Sequence, residues 1–228
     1  QEVQGPTLTV KTSWLYVGHV DEVFSYVPAA TPRGWKLLIG SPRLARQMLE
    51  AAQAAGNGAV TMFKGKKWWG QSGGQTNAEI SIDDVLADQD LMTSSQEAQA
   101  EIDDLHDQIV AEVGLTADEI IEIPYLMEDV SGQKLAFNPG TANILVVGDH
   151  VAIPDPFGPL IDGNDLFKKD LADRLGSPVN KLGATGAGLD VHFVDDWLYY
   201  HSLDGEVHCG TNVDATPSAD LQWWKVLK

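Results

Sequence analysis

Cys209 is the only cysteine among the 228 residues of this chain. A lone thiol closes no internal disulfide and builds no multi-cysteine zinc site, so it is an inert core residue, a single metal ligand or a nucleophile. Positive charge is scarce as well: 15 Lys and Arg stand against 33 Asp and Glu, for a formal net charge of -18. Such a field repels phosphate backbones and draws in cations and basic polypeptides, so no nucleic-acid partner is expected. No apolar run approaches the roughly 20 residues of a membrane-spanning helix, and no membrane partner is expected. The segment beginning at Gln1 is polar and lacks the apolar core of a signal peptide. A first residue other than methionine reads as a processed or trimmed product. Cysteine scarcity suits both a reducing cytosol and a secreted enzyme.

What is present is the composition of a folded globular protein, 43% hydrophobic and 21% charged. Strands are predicted over 15–17, 23–27 and 35–39. A helix follows, with Ser41 as N-cap, Pro42 at its first position, an apolar stripe of Leu44, Met48, Leu49 and Ala52, and Gly56 as stop. Residues 57–76 turn to Gly, Lys, Gln and Trp, and 66–74 read as an exposed loop, in which one ring of Trp68-Trp69 plugs the core. Ile102, Leu105, Ile109 and Val113 recur at helical spacing and predict a helix over 95–113 ended by Gly114, with His106 on its solvated side.

Thr116 and Glu119 have capping-box spacing ahead of an apolar run at 120–123. A buried strand is predicted over 143–148, a proline-rich turn over 154–159, and a helix over 164–175 stopped by Gly176. Strands are further predicted over 191–194 and 197–200, with a hairpin turn at Leu203-Asp204-Gly205 feeding a strand over 206–209. The sum is a mixed α/β fold with no internal repeat apparent in the sequence.

The residues after Cys209, Gly210-Thr211-Asn212, are small and polar, which favours exposure in a cleft. His19 and Asp21 are two apart and on an extended segment would face one side. A thiol with a reference pKa near 8.5 is only a few per cent thiolate at neutral pH, so a nucleophilic cysteine needs a cationic neighbour or a cationic substrate. A histidine can then serve as acid and base, and a carboxylate can hold a planar guanidinium. On a strand His208 would point away from Cys209, so it is assigned no role. His150, His192 and His201 show no spacing that forms a site, and no metal ligand is assigned.

Several segments occur together in one order: Val17-Gly18-His19-Val20-Asp21-Glu22, Ser41-Pro42-Arg43, Ile153-Pro154-Asp155-Pro156-Phe157-Gly158-Pro159, Gly205-Glu206-Val207-His208-Cys209-Gly210-Thr211-Asn212-Val213 and Trp223-Trp224. In this the chain resembles the protein-arginine deiminases over nearly its whole length, the match fading between about residues 65 and 95. The resemblance implies calcium-dependent hydrolysis of peptidylarginine to citrulline on a pentein-type α/β propeller of ββαβ modules, only some of them in this chain. It implies Cys209 as nucleophile, His19 as acid and base, and Asp21 as guanidinium ligand. It implies an arginine-containing protein or peptide as substrate, and cytoplasmic residence, with secretion the alternative.

In that family a second essential aspartate and the main calcium ligands precede the His-x-Asp segment, and residues 1–17 here contain no aspartate. Residues 1–228 are therefore expected to be the C-terminal portion of a deiminase catalytic domain, partnered by an N-terminal portion of the same protein. Two other readings stand: a related enzyme acting on free arginine or agmatine, and a non-catalytic module that binds basic proteins.

Overall fold

The computed structural model describes residues 8–69 and 73–214. The Trp223-Trp224 pair and the segment Gly70-Gln71-Ser72 of the expected loop lie outside the described residues. Phe24–Pro28 (β1) pairs antiparallel with Trp35–Gly40 (β2). Pro42–Ala52 (α1) follows, its N terminus capped by the Ser41 hydroxyl, which accepts from Leu44 N–H. The short strands Thr61–Met62 (β3), Lys67–Trp69 (β4), Gln75–Asn77 (β5) and Ile80–Ser81 (β6) precede the helices Ile82–Ala87 (α2) and Gln89–Val113 (α3). Gly114 ends α3 in the left-handed conformation, at φ 69°. Ile120–Ile123 (β7) then returns parallel to β2.

Central position explains the composition of β2. Leu37, Leu38 and Ile39 are all buried, the unbroken apolar run expected of a strand covered on both faces. Edge strand β1 instead exposes Tyr26.

A hairpin of Met127–Val130 (β8) and Gln133–Ala136 (β9) comes next. Its two turn residues, Ser131 and Gly132, both have positive φ, which matches the twist of the flanking strands. The chain then repeats the first scheme. Leu145–Val147 (β10) pairs antiparallel with His150–Pro154 (β11). The hairpin Leu160–Ile161 (β12) and Asn164–Asp165 (β13) leads into Leu166–Leu175 (α4), whose N–H groups at Phe167 and Lys168 are capped by the Asp165 carboxylate. Asp190–Val194 (β14) closes the set parallel to β11.

The structure thus contains two ββαβ units, a repeat in pairing scheme that the sequence does not display. One apolar cluster joins them, running from Leu37 and Ile39 through Ile102 and Ile109 of α3 to Val151, Ile153 and Leu171. A second gathers Leu49, Phe63, Ile82, Leu126, Phe167 and Trp197.

Several expected elements differ. At residues 15–17 there is only an isolated bridge from Leu15 to Lys134. The loop expected over 66–74 includes β4, paired with β5 in a hairpin, and there Trp68 packs on Phe63 and Trp197 while Trp69 is exposed. The α3 helix starts earlier than expected because Asp88 caps it, accepting from Leu91 N–H. Residues 197–200 form turns, not a strand: the Asp195 carboxylate accepts from Trp197 N–H, and Tyr200 N–H reaches Asp196 O at 2.9 Å. The span 206–209 is not a strand either, since His208–Gly210 is a 3-10 turn and Gly210 N–H donates back to Glu206 and Val207 carbonyls.

Candidate active site

His19 starts the short 3-10 turn Val20–Glu22 immediately before β1. Its N–H donates to Glu22 Oε1 at 2.7 Å, and its carbonyl accepts from Glu22 N–H at 3.2 Å. The segment is a turn rather than the extended stretch the two-residue spacing implied. Even so, His19 and Asp21 line one cleft of about 520 Å³ with Cys209, His208, Tyr16, Asp204 and Gly205. The three residues singled out from sequence, separated along the chain, are brought to the same cavity.

The organising contact comes from a residue the sequence did not flag. Asn143, buried just ahead of β10, donates from Nδ2 to Asp21 Oδ2 at 2.9 Å. Its Oδ1 accepts the backbone N–H groups of His208 at 2.9 Å and Cys209 at 3.2 Å. A single amide therefore fixes the carboxylate and the thiol-bearing turn together. Nothing in the run Thr141-Ala142-Asn143-Ile144 distinguishes this asparagine from the start of a strand, so only the fold reveals it.

His208 corrects the sequence expectation. Because it lies in a 3-10 turn, the alternation that would have turned it away from Cys209 does not operate. Its ring Nδ1 lies 2.6 Å from Asp21 Oδ2, and it lines the cleft.

Cys209 is solvent-accessible on the cleft side. Desolvation where it packs on protein pushes its thiol above the ordinary value, and the Asp21 charge pushes the same way. Both disfavour a resting thiolate.

Beneath the turn lies a buried acid cluster. Glu206 Oε1 accepts from Gly140 N–H at 2.8 Å and lies 2.9 Å from His201 Nδ1. Glu206 Oε2, both Asp196 carboxylate oxygens and His201 Nε2 are buried and lack a hydrogen-bond donor. Burial and the neighbouring Glu206 push Asp196 up to about 9, and a protonated Asp196 supplies the missing donor toward Glu206. Trp68 and Trp197 pack against the His201 ring, sealing the cluster.

A second groove, between α1 and α3, is lined by Arg43, Arg46, Gln99 and Asp103 and has a volume of about 460 Å³. Its one hydroxyl, on Ser95, is taken up by Met127 O at 2.9 Å, and Arg43 is engaged by Asp103 and Glu122, so the groove carries no chemistry of this kind. The histidines set aside in the sequence do not all stay apart: His150, His192 and Asp190 come together on the outer face of β11 and β14. That grouping is rich in nitrogen and does not match the six to eight oxygen ligands that calcium takes.

A model of the family described as Protein-arginine deiminase (PAD) matches residues 1–225. The chain is 37% identical over 232 residues to protein-arginine deiminase type-4 of Rattus norvegicus, an alignment covering 100% of this chain and 32% of the relative. Against protein-arginine deiminase type-3 of Rattus norvegicus the identity is 38% over 227 residues, with 100% and 32% covered. Against type-1 of Mus musculus it is 37% over 224 residues, with 98% and 31% covered. The chain spans about a third of the length of these curated relatives.

Proposed function

The chain belongs to the protein-arginine deiminase family, and from that membership we propose that it carries part of the active site of an enzyme hydrolysing protein-bound arginine to citrulline and ammonia. The observation that carries this reading is the convergence of Cys209, His19 and Asp21 on one cleft.

In the proposed reaction the Cys209 thiolate attacks the guanidinium carbon, forming a C–S bond as the C=N electron pair moves onto nitrogen. His19 protonates one amino group, which leaves as ammonia, and a thiouronium remains on Cys209. His19 then takes a proton from water as the water adds to the same carbon. The C–S bond breaks, its electrons return to sulfur, and the ureido group of citrulline is released. Both hydrogen bonds to the Asp21 carboxylate fall on Oδ2, leaving Oδ1 for a guanidinium N–H. The substrate's positive charge also offsets the field that holds the thiol protonated, so arrival of arginine helps generate the nucleophile.

The two ββαβ units are proposed as two modules of a pentein propeller, completed by an N-terminal portion that supplies a second aspartate. Calcium dependence is expected of the family. Among the described residues the one grouping of three His, Cys, Asp or Glu side chains close enough to hold a metal is His150, Asp190 and His192, which is too rich in nitrogen for that ion.

Citrulline formation on a blocked arginine peptide, compared with free arginine, tests the substrate class; preference for free arginine would overturn it. In the same assay Cys209→Ser should abolish turnover, by about 10⁴-fold or more, as expected for loss of a nucleophile. Denaturing mass spectrometry of an active preparation tests the partner portion. Finding this 24.7 kDa chain alone would sink that part of the proposal.

A further inference from the structure

On the face of the second sheet away from the apolar core, the parallel pairing of β11 and β14 sets His150 opposite Asp190 and Ala152 opposite His192. The alternation of β14 sends Asp190, His192 and Val194 outward, while Val191 and Phe193 pack against the core. His150 Nδ1 lies 3.2 Å from His192 Nε2 and 3.4 Å from Asp190 Oδ2. The three residues together offer donor atoms all within 4.8 Å of one another.

Those separations carry a chemical meaning. Two ligands at about 2.0–2.1 Å from one tetrahedral ion stand roughly 3.3–3.4 Å apart. The two donor separations in the structure, 3.2 and 3.4 Å, lie close to that spacing. The scaffold is also fixed. Asp190 N–H donates to Asp149 O at 2.8 Å, and Asp149 Oδ1 accepts from Ala184 N–H at 2.7 Å, so the turn before β11 and the start of β14 are tied.

We propose that His150, His192 and Asp190 form a surface site for a borderline transition-metal ion of the zinc class, which clamps β14 to β11. Two imidazoles and one carboxylate select such ions over calcium or magnesium, which prefer all-oxygen shells. With three protein ligands, a water completes the shell. The site lies apart from the cysteine cleft and draws on none of its residues.

Zinc titration by calorimetry on the Cys209→Ser protein removes the competing thiol and tests the site. One zinc per chain should bind, with His192→Ala weakening binding by about tenfold or more, given that even outer-shell losses cost 10- to 100-fold. Zinc should raise the melting temperature of the parent and leave that of His192→Ala unchanged, while a His106→Ala control binds as the parent does. Asp190→Asn provides a second variant on an exposed position if the first fails to fold. Equal zinc affinity in the parent and His192→Ala overturns the proposal. So does zinc binding that disappears when Cys209 is replaced.

Discussion

The two ββαβ units share one pairing scheme and differ in cover. In the first, β2 is buried along its apolar run, with α3 packed against it, and the link from β2 to β7 holds α1, α2 and α3. In the second, the link from β11 to β14 holds one small hairpin and α4, and β14 keeps its alternate residues exposed. The pairing follows from strand order, whereas the sequence pattern follows from the layers laid on each sheet. Continuous apolar runs mark a sheet covered twice, and alternation marks one covered once. The candidate site draws on both: His19 and Asp21 sit just before the first unit, Asn143 just before the second, and Cys209 beyond its last strand.

The comparison breaks most sharply at Asn143. Replacing it with alanine leaves two backbone N–H groups and the Asp21 carboxylate without their shared partner. Citrulline formation should fall by about 100-fold through misplacement of the reacting groups. Stability should fall by about 1–3 kcal/mol, read from urea denaturation, as expected for unpaired buried groups. Activity within about twofold of the parent would mean that the two units align the site without this residue.

Paired glycine substitutions sharpen the contrast in cover. A Cβ at Gly40, at the end of β2, runs into the ring of Tyr125, which is wholly buried and donates its hydroxyl to Glu22 O at 2.7 Å. A Cβ at Gly210 meets Tyr200, which is 39% exposed and has room to move. Thermal melts should therefore show Gly40→Ala costing about 1–3 kcal/mol, the range for overpacking. Gly210→Ala should cost less, its effect appearing in turnover because it displaces the Cys209 turn. The reverse order would mean that the first unit is the more yielding.

A pH slope set by Asp196 is expected as well. Its carboxyl is raised from 3.8 to about 9, so over that window the folded chain holds a proton that the unfolded chain has released. Its stabilising contribution is therefore full below about pH 4, declines as pH rises, and changes no further above about 9. Asp196→Asn should flatten this decline in urea midpoints taken from about pH 5 to 8.5. An unchanged slope would show that another group carries the titration.

Helix ends were the most legible part of the sequence because caps are local: Ser41, Gly114 and the Thr116–Glu119 pair act where their chemistry implies. The strands expected at 23–27, 35–39 and 191–194 also correspond to β1, β2 and β14 within a residue or so. Misread were the apolar stretches whose burial comes from distant partners. Trp197 is apolar enough for a strand, yet it sits in a turn because Phe63 and Trp68 provide its pocket from another part of the chain. Residues of the site were visible by chemical type, as with Cys209, His19 and Asp21. His208 is hidden because strand alternation does not hold in its 3-10 turn, and Asn143 because an amide's importance lies in what it bridges.

Asn143 acts as a spacer of set length between the Cys209 turn and the Asp21 carboxylate. If the two units shift slightly as a large substrate docks, Asp21 and the Cys209 turn are carried along by the same amide, and their separation is kept. A site assembled across such a seam can tolerate movement of its walls while the distance that governs the chemistry stays constant.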